Sequence, residues 1–381
     1  MRIALIRKTY TPFGGAERHV AQFIEALNTR GDEVHVYAAK WGESMSASDR
    51  ITVHRVPVVR AARWAEAWSF GIRASRMAAE GGYDIVHSFD RVTSCDVYRA
   101  GDGVHREWLR RRRAAQPVWQ RAIPSLNPLH LIYLALERRL FEGRCRAIIA
   151  NSECGKAEIL AHYRADPSRI RVIYNGVDLD RFRPPDQETR RKARSLAKLG
   201  EEDRAILFVG SGFERKGLDT AIRALGHLVP RQAGETILFV VGRGDTRRYA
   251  RIAVSLGVGN RVRFVGPVTD VMPWYHAADL LLLPTLYDPF SNVCLEALAC
   301  GLPVVTTAAN GAAEALTPDT GVVIEDAQDV EAAARGVESV LGWGRTRVDA
   351  CRTRAEQFPQ ERHVRETLAL YDELRRPVGR S

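Results

Sequence analysis

One alternation runs through almost the whole chain: a short aliphatic run, then a longer stretch with helical spacing, then another short run. Parallel strands cannot be closed by tight turns, so a chain written this way needs crossovers between strands and covers its sheets with helices. A first series predicts strands over 2–7, 33–38, 84–88, 147–151 and 171–174, with a helix over 16–30. A second predicts strands over 205–209, 236–241, 262–265, 279–284, 303–306 and 321–324. Helices at 217–228, 247–256 and up to Gly301 fall between them. The run 181–185, ending in Pro184-Pro185, reads as a linker. At 381 residues the chain suits two domains. The expectation is α/β, two Rossmann-like doubly wound domains facing across a cleft, with a ligand at the carboxyl ends of the strands.

Several classes of protein are excluded. The six cysteines form no CxxC pair and no His-assisted metal spacing, which argues against a zinc ribbon or a disulfide framework. The first residues lack the apolar stretch of a signal peptide, and no run approaches a membrane span. A cytoplasmic protein is expected. The net charge is +10, and the segment from Arg99 to Arg146 holds eleven Arg against four acidic residues. No nucleic-acid-binding pattern accompanies that surplus, so a nucleic-acid partner is not expected.

Three segments carry chemistry. The turn around Gly14 and Gly15 follows the first strand and opens a helix. It is either a tight turn or a place where backbone amides approach an anion, and it lacks the third glycine of the dinucleotide fingerprint. A second glycine turn, Gly210-Ser211-Gly212, leads to Arg215-Lys216-Gly217. Two adjacent cations suit a diphosphate, or else a solvated loop, and no P-loop pattern is present. In the third, Ser291 or Asn292 can cap a helix that Gly301 ends, and Glu296 sits on that helix among apolar neighbours. A buried carboxylate must find a partner. Vicinal hydroxyls of a ribose supply one, and capped backbone amides or a buried Arg are the other choices.

Asp288 and Glu296, eight apart, resemble the E-x7-E element of the retaining GT-B glycosyltransferases of family 4, with Asp in place of the first Glu. The stretches 239–242, 261–266, 278–284 and 295–306 are similar to that family's donor domain, as are 150–153 and 174–178 ahead of it. The resemblance spans essentially the whole chain. A narrower one, to the lipopolysaccharide core glucosyltransferases, rests on 10–15, 89–91, 96–102, 208–211 and 215–217.

The resemblance implies an acceptor-binding domain over 1–178, completed by a C-terminal helix at 358–378, and a nucleotide-sugar domain over 179–357. It implies a hexosyltransferase, a donor such as UDP-glucose, and a lipopolysaccharide core sugar or other glycolipid as acceptor. Neither a metal nor a cofactor is expected. Arg215 and Lys216 would stabilise the leaving diphosphate, Asp288 and the amides of Ser291, Asn292 and Val293 would hold the sugar and phosphate, and Glu296 would hold the ribose. Gly14, Gly15 and Gly212 would lie close to the donor. Asp102 would stand near the reacting carbon, with His105 and Trp108 on the acceptor side. Arg110, Arg111, Arg112 and Arg113, with Trp108, Trp119 and Tyr133 interspersed, would face an anionic membrane surface on the inner side of the cytoplasmic membrane, or else form a salt-bridged or solvated face. A nucleotide-sugar epimerase of the same fold is the competing enzyme class.

Overall fold

The computed structural model describes residues 1–10, 15–42, 51–116, 127–143, 145–228 and 234–375. They fall into two compact units. One comprises Met1–Tyr174 and the C-terminal stretch from His363, and the other comprises Asn175–Arg362.

The first unit is built on a seven-stranded sheet. Its strands are β1 (Arg2–Ile6), β2 (Glu33–Ala38), β3 (Ile51–Arg55), β4 (Ile85–Ser88), β5 (Val97–Arg99), β6 (Ala147–Ala150) and β7 (Ile170–Val172). They lie in the order β3-β2-β1-β4-β5-β6-β7, and every pairing is parallel. Side chains alternate across the sheet, so β1 sends Ala4 and Ile6 into one core, with Phe70, Leu140 and Ile148. Ile3 and Leu5 enter the opposite core, with Phe23, Ile24 and Tyr371. Both faces are therefore dry, which is why the strands read as continuous apolar runs.

Tyr371 belongs to the helix Gln360–Leu374. Its hydroxyl hydrogen-bonds the buried His87 Nδ1, and on the same helix His363 Nδ1 donates to the Tyr174 carbonyl at 2.8 Å. Arg99 Nη1 donates to His363 Nε2 at 2.6 Å, which fixes that ring as the neutral Nδ1–H tautomer.

The second unit holds a six-stranded parallel sheet in the order β10-β9-β8-β11-β12-β13. The strands are β8 (Arg204–Val209), β9 (Thr236–Val241), β10 (Val262–Gly266), β11 (Leu280–Leu283), β12 (Val304–Thr307) and β13 (Gly321–Ile324). The four leucines of β11 are wholly buried. The run 181–185, expected as a linker, is instead packed into this unit. Phe182 is buried edge-on against Tyr275, and Arg352 Nη1 donates to the carbonyls of Leu179 and Phe182. An aromatic and a guanidinium bond turn a Pro-rich stretch into fixed structure.

Candidate functional site

Three loops at the carboxyl ends of β8, β11 and β12 build one cluster in the second unit. After β8, Gly212 takes a left-handed conformation, φ 75°, and starts the helical turn Phe213–Lys216. Gly217 ends that turn at φ 78°, where an added Cβ would sit 1.8 Å from the Pro284 carbonyl oxygen. Only glycine meets both demands. The Arg215 carbonyl is then pinned from the loop after β11, by Thr285 Oγ1 at 2.8 Å and the Leu286 amide at 2.9 Å. With its backbone fixed, Lys216 turns inward. Its Nζ lies 2.6 Å from Asp288 Oδ2 and 2.8 Å from Ser291 Oγ. Arg215 reaches the same carboxylate oxygen at 3.6 Å, and its side chain keeps more than a third of its surface exposed.

Asp288 is held as firmly as the lysine. Its amide donates to the Ala309 carbonyl, its own carbonyl accepts from Gly311, and its Oδ1 accepts from the Phe290 amide. Burial alone would raise its pKa, but the Lys216 ammonium and the Arg215 guanidinium outweigh burial and leave it below the ordinary carboxylate value. Asn310 closes the loop after β12. Its Oδ1 accepts from the amides of Ser291 and Ala312, and its Nδ2 donates to Thr306 Oγ1. A buried thiol next to it, Cys294, is pushed up to about 12 by burial, and so stays protonated.

Ser291 occupies the N-cap position of the helix Asn292–Ala299 without capping it, because its hydroxyl accepts from Lys216. Asn292 does not cap it either, since its Oδ1 accepts from Asn175 Nδ2. Of the three amides expected to hold a ligand, that of Ser291 is committed to Asn310, which narrows the expectation to Asn292 and Val293. Asp288, expected as a sugar ligand, has Lys216 as its partner. Glu296 is half-buried among buried Cys294, Leu295, Ala297 and Leu298. It accepts a hydrogen bond from Tyr275 Oη at 2.8 Å on Oε2. Burial, reinforced by this carboxylate, holds the tyrosine well above its ordinary value, so it remains a donor.

Residues expected on the acceptor side lie in the first unit, at and after the end of β5. Asp102 is exposed, 3.6 Å from Arg91 Nη1. His105 is not at the surface. It packs against His130 and Tyr133, and burial drives its pKa down to about 3. Its amide donates to Glu137 Oε1, and this fully buried acid also takes bonds from Arg91 and Tyr163. Nothing in the local sequence signals that hub.

The helix His105–Ala114 carries Trp108 and the four consecutive arginines. Arg110 and Arg111 bind the buried Glu107, which His162 also contacts at 2.7 Å. Burial opposes ionisation of Glu107, but Arg110, His162 and Arg111 bring it down to about 2. Half of the basic run is thus tied to an internal acid. Trp108 and Arg112 are half-buried and Arg113 is exposed. Gly15 begins the helix Gly15–Arg30, while Gly14 and Trp119 lie outside the described residues.

Among the described residues, no group of three or more His, Cys, Asp or Glu side chains is placed to hold a metal ion. No described helix is long and apolar enough to cross a membrane.

The chain resembles known proteins in sequence and fold. The family model described as Glycosyltransferase Family 4 matches residues 13–181, and that described as Glycosyl transferases group 1 matches 203–342. The lipopolysaccharide glucosyltransferase WaaG of Escherichia coli K12 is 31% identical over 330 residues, covering 86% of each chain. A D-inositol 3-phosphate glycosyltransferase of Salinispora arenicola is 31% identical over 337 residues, covering 79% of this chain and 71% of its own length. The crystal structure of WaaG, described as a glycosyltransferase involved in lipopolysaccharide biosynthesis, superposes with a TM-score of 0.83 at 27% identity, over 97% of this chain and 99% of that one.

Proposed function

The chain is a family 4 glycosyltransferase of GT-B fold, and we propose that it moves a glucosyl group from UDP-glucose to a heptose of a lipopolysaccharide core, with retention of configuration. The observation that carries this reading is the Arg215–Lys216 pair converging on Asp288 and Ser291, in a chain resembling a lipopolysaccharide glucosyltransferase along most of its length.

In this reading the acceptor hydroxyl attacks the anomeric carbon from the side the nucleotide leaves. As the bond from that carbon to the β-phosphate oxygen breaks, the oxygen gains charge and takes the acceptor's proton. Arg215, the more exposed cation, and Lys216, preset by Asp288 and Ser291, stabilise that charge. One such preorganised donor contributes about 3 to 4 kcal/mol to a transition state of this kind. Asp288 shares Lys216 with the phosphate and contacts the hexose, and the Asn292 and Val293 amides lie against the phosphate. Glu296, oriented by Tyr275, takes the ribose. Asp102 serves the acceptor. The reaction as written uses no metal ion. Trp108, Arg112 and Arg113 bring the enzyme to the anionic inner face of the cytoplasmic membrane, where such an acceptor is anchored.

The test is incubation with labelled UDP-sugars and a truncated lipopolysaccharide core, with and without chelator. Transfer of glucose that survives chelation is expected, whereas no transfer from any donor refutes the reading. The similarity to inositol phosphate glycosyltransferases favours a second acceptor class, a phosphorylated polyol. Another UDP-sugar with a lipid-linked or exopolysaccharide acceptor is the remaining variant. Adding these donors and acceptors to the same assay separates them.

A further inference from the structure

In the first unit, two cysteines that the transfer reaction does not use stand side by side. Cys95 precedes β5 by two residues and Cys145 precedes β6 by the same interval, and the register pairs Val97 with Ala147. The chains are already joined ahead of the strands, since the Asp96 carbonyl accepts from the amides of Arg146 and Ala147. Parallel neighbours lie about 4.8 Å apart, within the roughly 4.4 to 6.8 Å between Cα atoms that a disulfide spans. The two Sγ atoms are 3.6 Å apart, and both thiols are free.

The pair is reachable through Cys95. Both line a surface pocket of about 790 Å³ whose other walls include Arg106, Arg138, Arg139 and Glu142. Cys95 is half-buried and Cys145 is buried, and all three arginines are exposed at the rim. The hydrogen bond shared with Cys95 holds the Cys145 thiol below its ordinary value against the opposing effect of burial, and the nearby Arg169 guanidinium adds to that lowering. Burial holds Cys95 above its own. The shared hydrogen bond lets a proton pass between the sulfurs, so Cys95, the more accessible one, meets an incoming disulfide and Cys145 stands beside it to resolve the adduct.

We propose that Cys95 and Cys145 form a reversible dithiol–disulfide site, oxidised by a small anionic disulfide that enters the pocket lined by Arg106, Arg138 and Arg139. Cys95 gives up its proton and attacks one sulfur of the incoming disulfide, forming a mixed disulfide and releasing one thiolate. Cys145 then gives up its proton and attacks Cys95 Sγ, expelling the second thiolate. The two protein thiols are oxidised, the external disulfide is reduced to two thiols, and the two protons travel with them. The inference is independent of which sugar the enzyme transfers.

The experiment treats the folded, full-length protein with glutathione disulfide and reads intact mass and the linked peptides. The expected result is a loss of two hydrogens, a crosslink between the peptides bearing Cys95 and Cys145, and full reversal by dithiothreitol. Under the same treatment Cys145→Ser retains one glutathione on Cys95, because nothing is left to resolve it. Replacing Arg138 and Arg139 by Ala slows closure by glutathione disulfide several-fold, on the order of ten, while closure by the uncharged hydroxyethyl disulfide keeps its rate. Wild-type protein that keeps both thiols reduced overturns the proposal. A stable adduct without ring closure also overturns it, and neither outcome depends on a variant folding. Equal slowing for both reagents overturns the anionic specificity.

Discussion

Lys216 Nζ lies 2.6 Å from Asp288 Oδ2 inside the second unit, with at most a tenth of either side chain exposed. Burying an ammonium is costly unless it is paired, so removing one partner leaves the other stranded. Asp288→Ala is expected to destabilise the protein by about 3 to 5 kcal/mol, and Asp288→Asn, which keeps an acceptor for Nζ, by less. Urea unfolding checks this through a lowered midpoint at an unchanged slope. A midpoint equal to wild type for Asp288→Ala would mean the pair holds nothing together.

Gly217 is fixed by its left-handed backbone and by the Pro284 carbonyl. Gly217→Ala adds strain of about 1 to 3 kcal/mol, plus whatever shift of the loop relieves the clash. Because Lys216 is its neighbour, activity should fall further than stability explains. The check is turnover measured at a temperature where circular dichroism shows the variant fully folded.

Tyr275 donates to Glu296 within an apolar helix packing. Tyr275→Phe leaves that carboxylate one bond short, at a cost of about 1 to 3 kcal/mol. In the proposed reaction the pair orients a nucleoside, far from the breaking bond. Both Tyr275→Phe and Glu296→Gln should therefore raise KM for the nucleotide sugar, with kcat affected little. A fall in kcat at unchanged KM would place Glu296 in the chemistry itself.

His87 and His105 are both buried, with pKa values of about 3. Burial is the main cause in each, with Arg99 acting on His87, and Arg91 and His130 on His105. Unfolded, each ring titrates near 6.5, so between about 6.5 and 3 the unfolded chain takes up protons that the folded chain refuses. Stability is complete above that window and falls as pH drops through it, by up to about 1.4 kcal/mol per pH unit for each ring. His87→Phe should flatten the slope by one ring's share between pH 6 and 4. An unchanged slope would show that His87 is protonated in the fold.

Arg110 and Arg111 hold Glu107, whereas Arg113 is exposed. If the helix His105–Ala114 meets an anionic surface, Arg112→Ala with Arg113→Ala should weaken vesicle binding by about 1 kcal/mol for each charge near the headgroups. The loss should vanish in high salt. Co-sedimentation with vesicles containing phosphatidylglycerol reads it out, and binding indifferent to both changes would remove the basic run from the membrane reading.

Much of this architecture is legible in the residues themselves. Thr236–Val241 is buried along its whole length, and an uninterrupted apolar run has few places to go but the middle of a parallel sheet. Short strands are harder. Val97–Arg99 has three residues and Ile51–Arg55 is an exposed edge, so neither carries enough pattern to announce itself. The site shows the same divide. Arg215, Lys216, Asp288 and Glu296 stand out by residue type, but the bond from Lys216 to Asp288 spans 72 positions, and no local spacing encodes it. Asn310 was within reach, since an Asn-Gly step marks a turn. Tyr275 was not, because a tyrosine on a short helix looks like any other core aromatic.

The helix Gln360–Leu374 supplies Tyr371 to one core of the first unit and His363 to Arg99. Nearly two hundred residues, the whole of Asn175–Arg362, intervene before those side chains exist. During synthesis the first unit to emerge from the ribosome is therefore the last to be finished, and must wait with part of its interior uncovered while its successor folds.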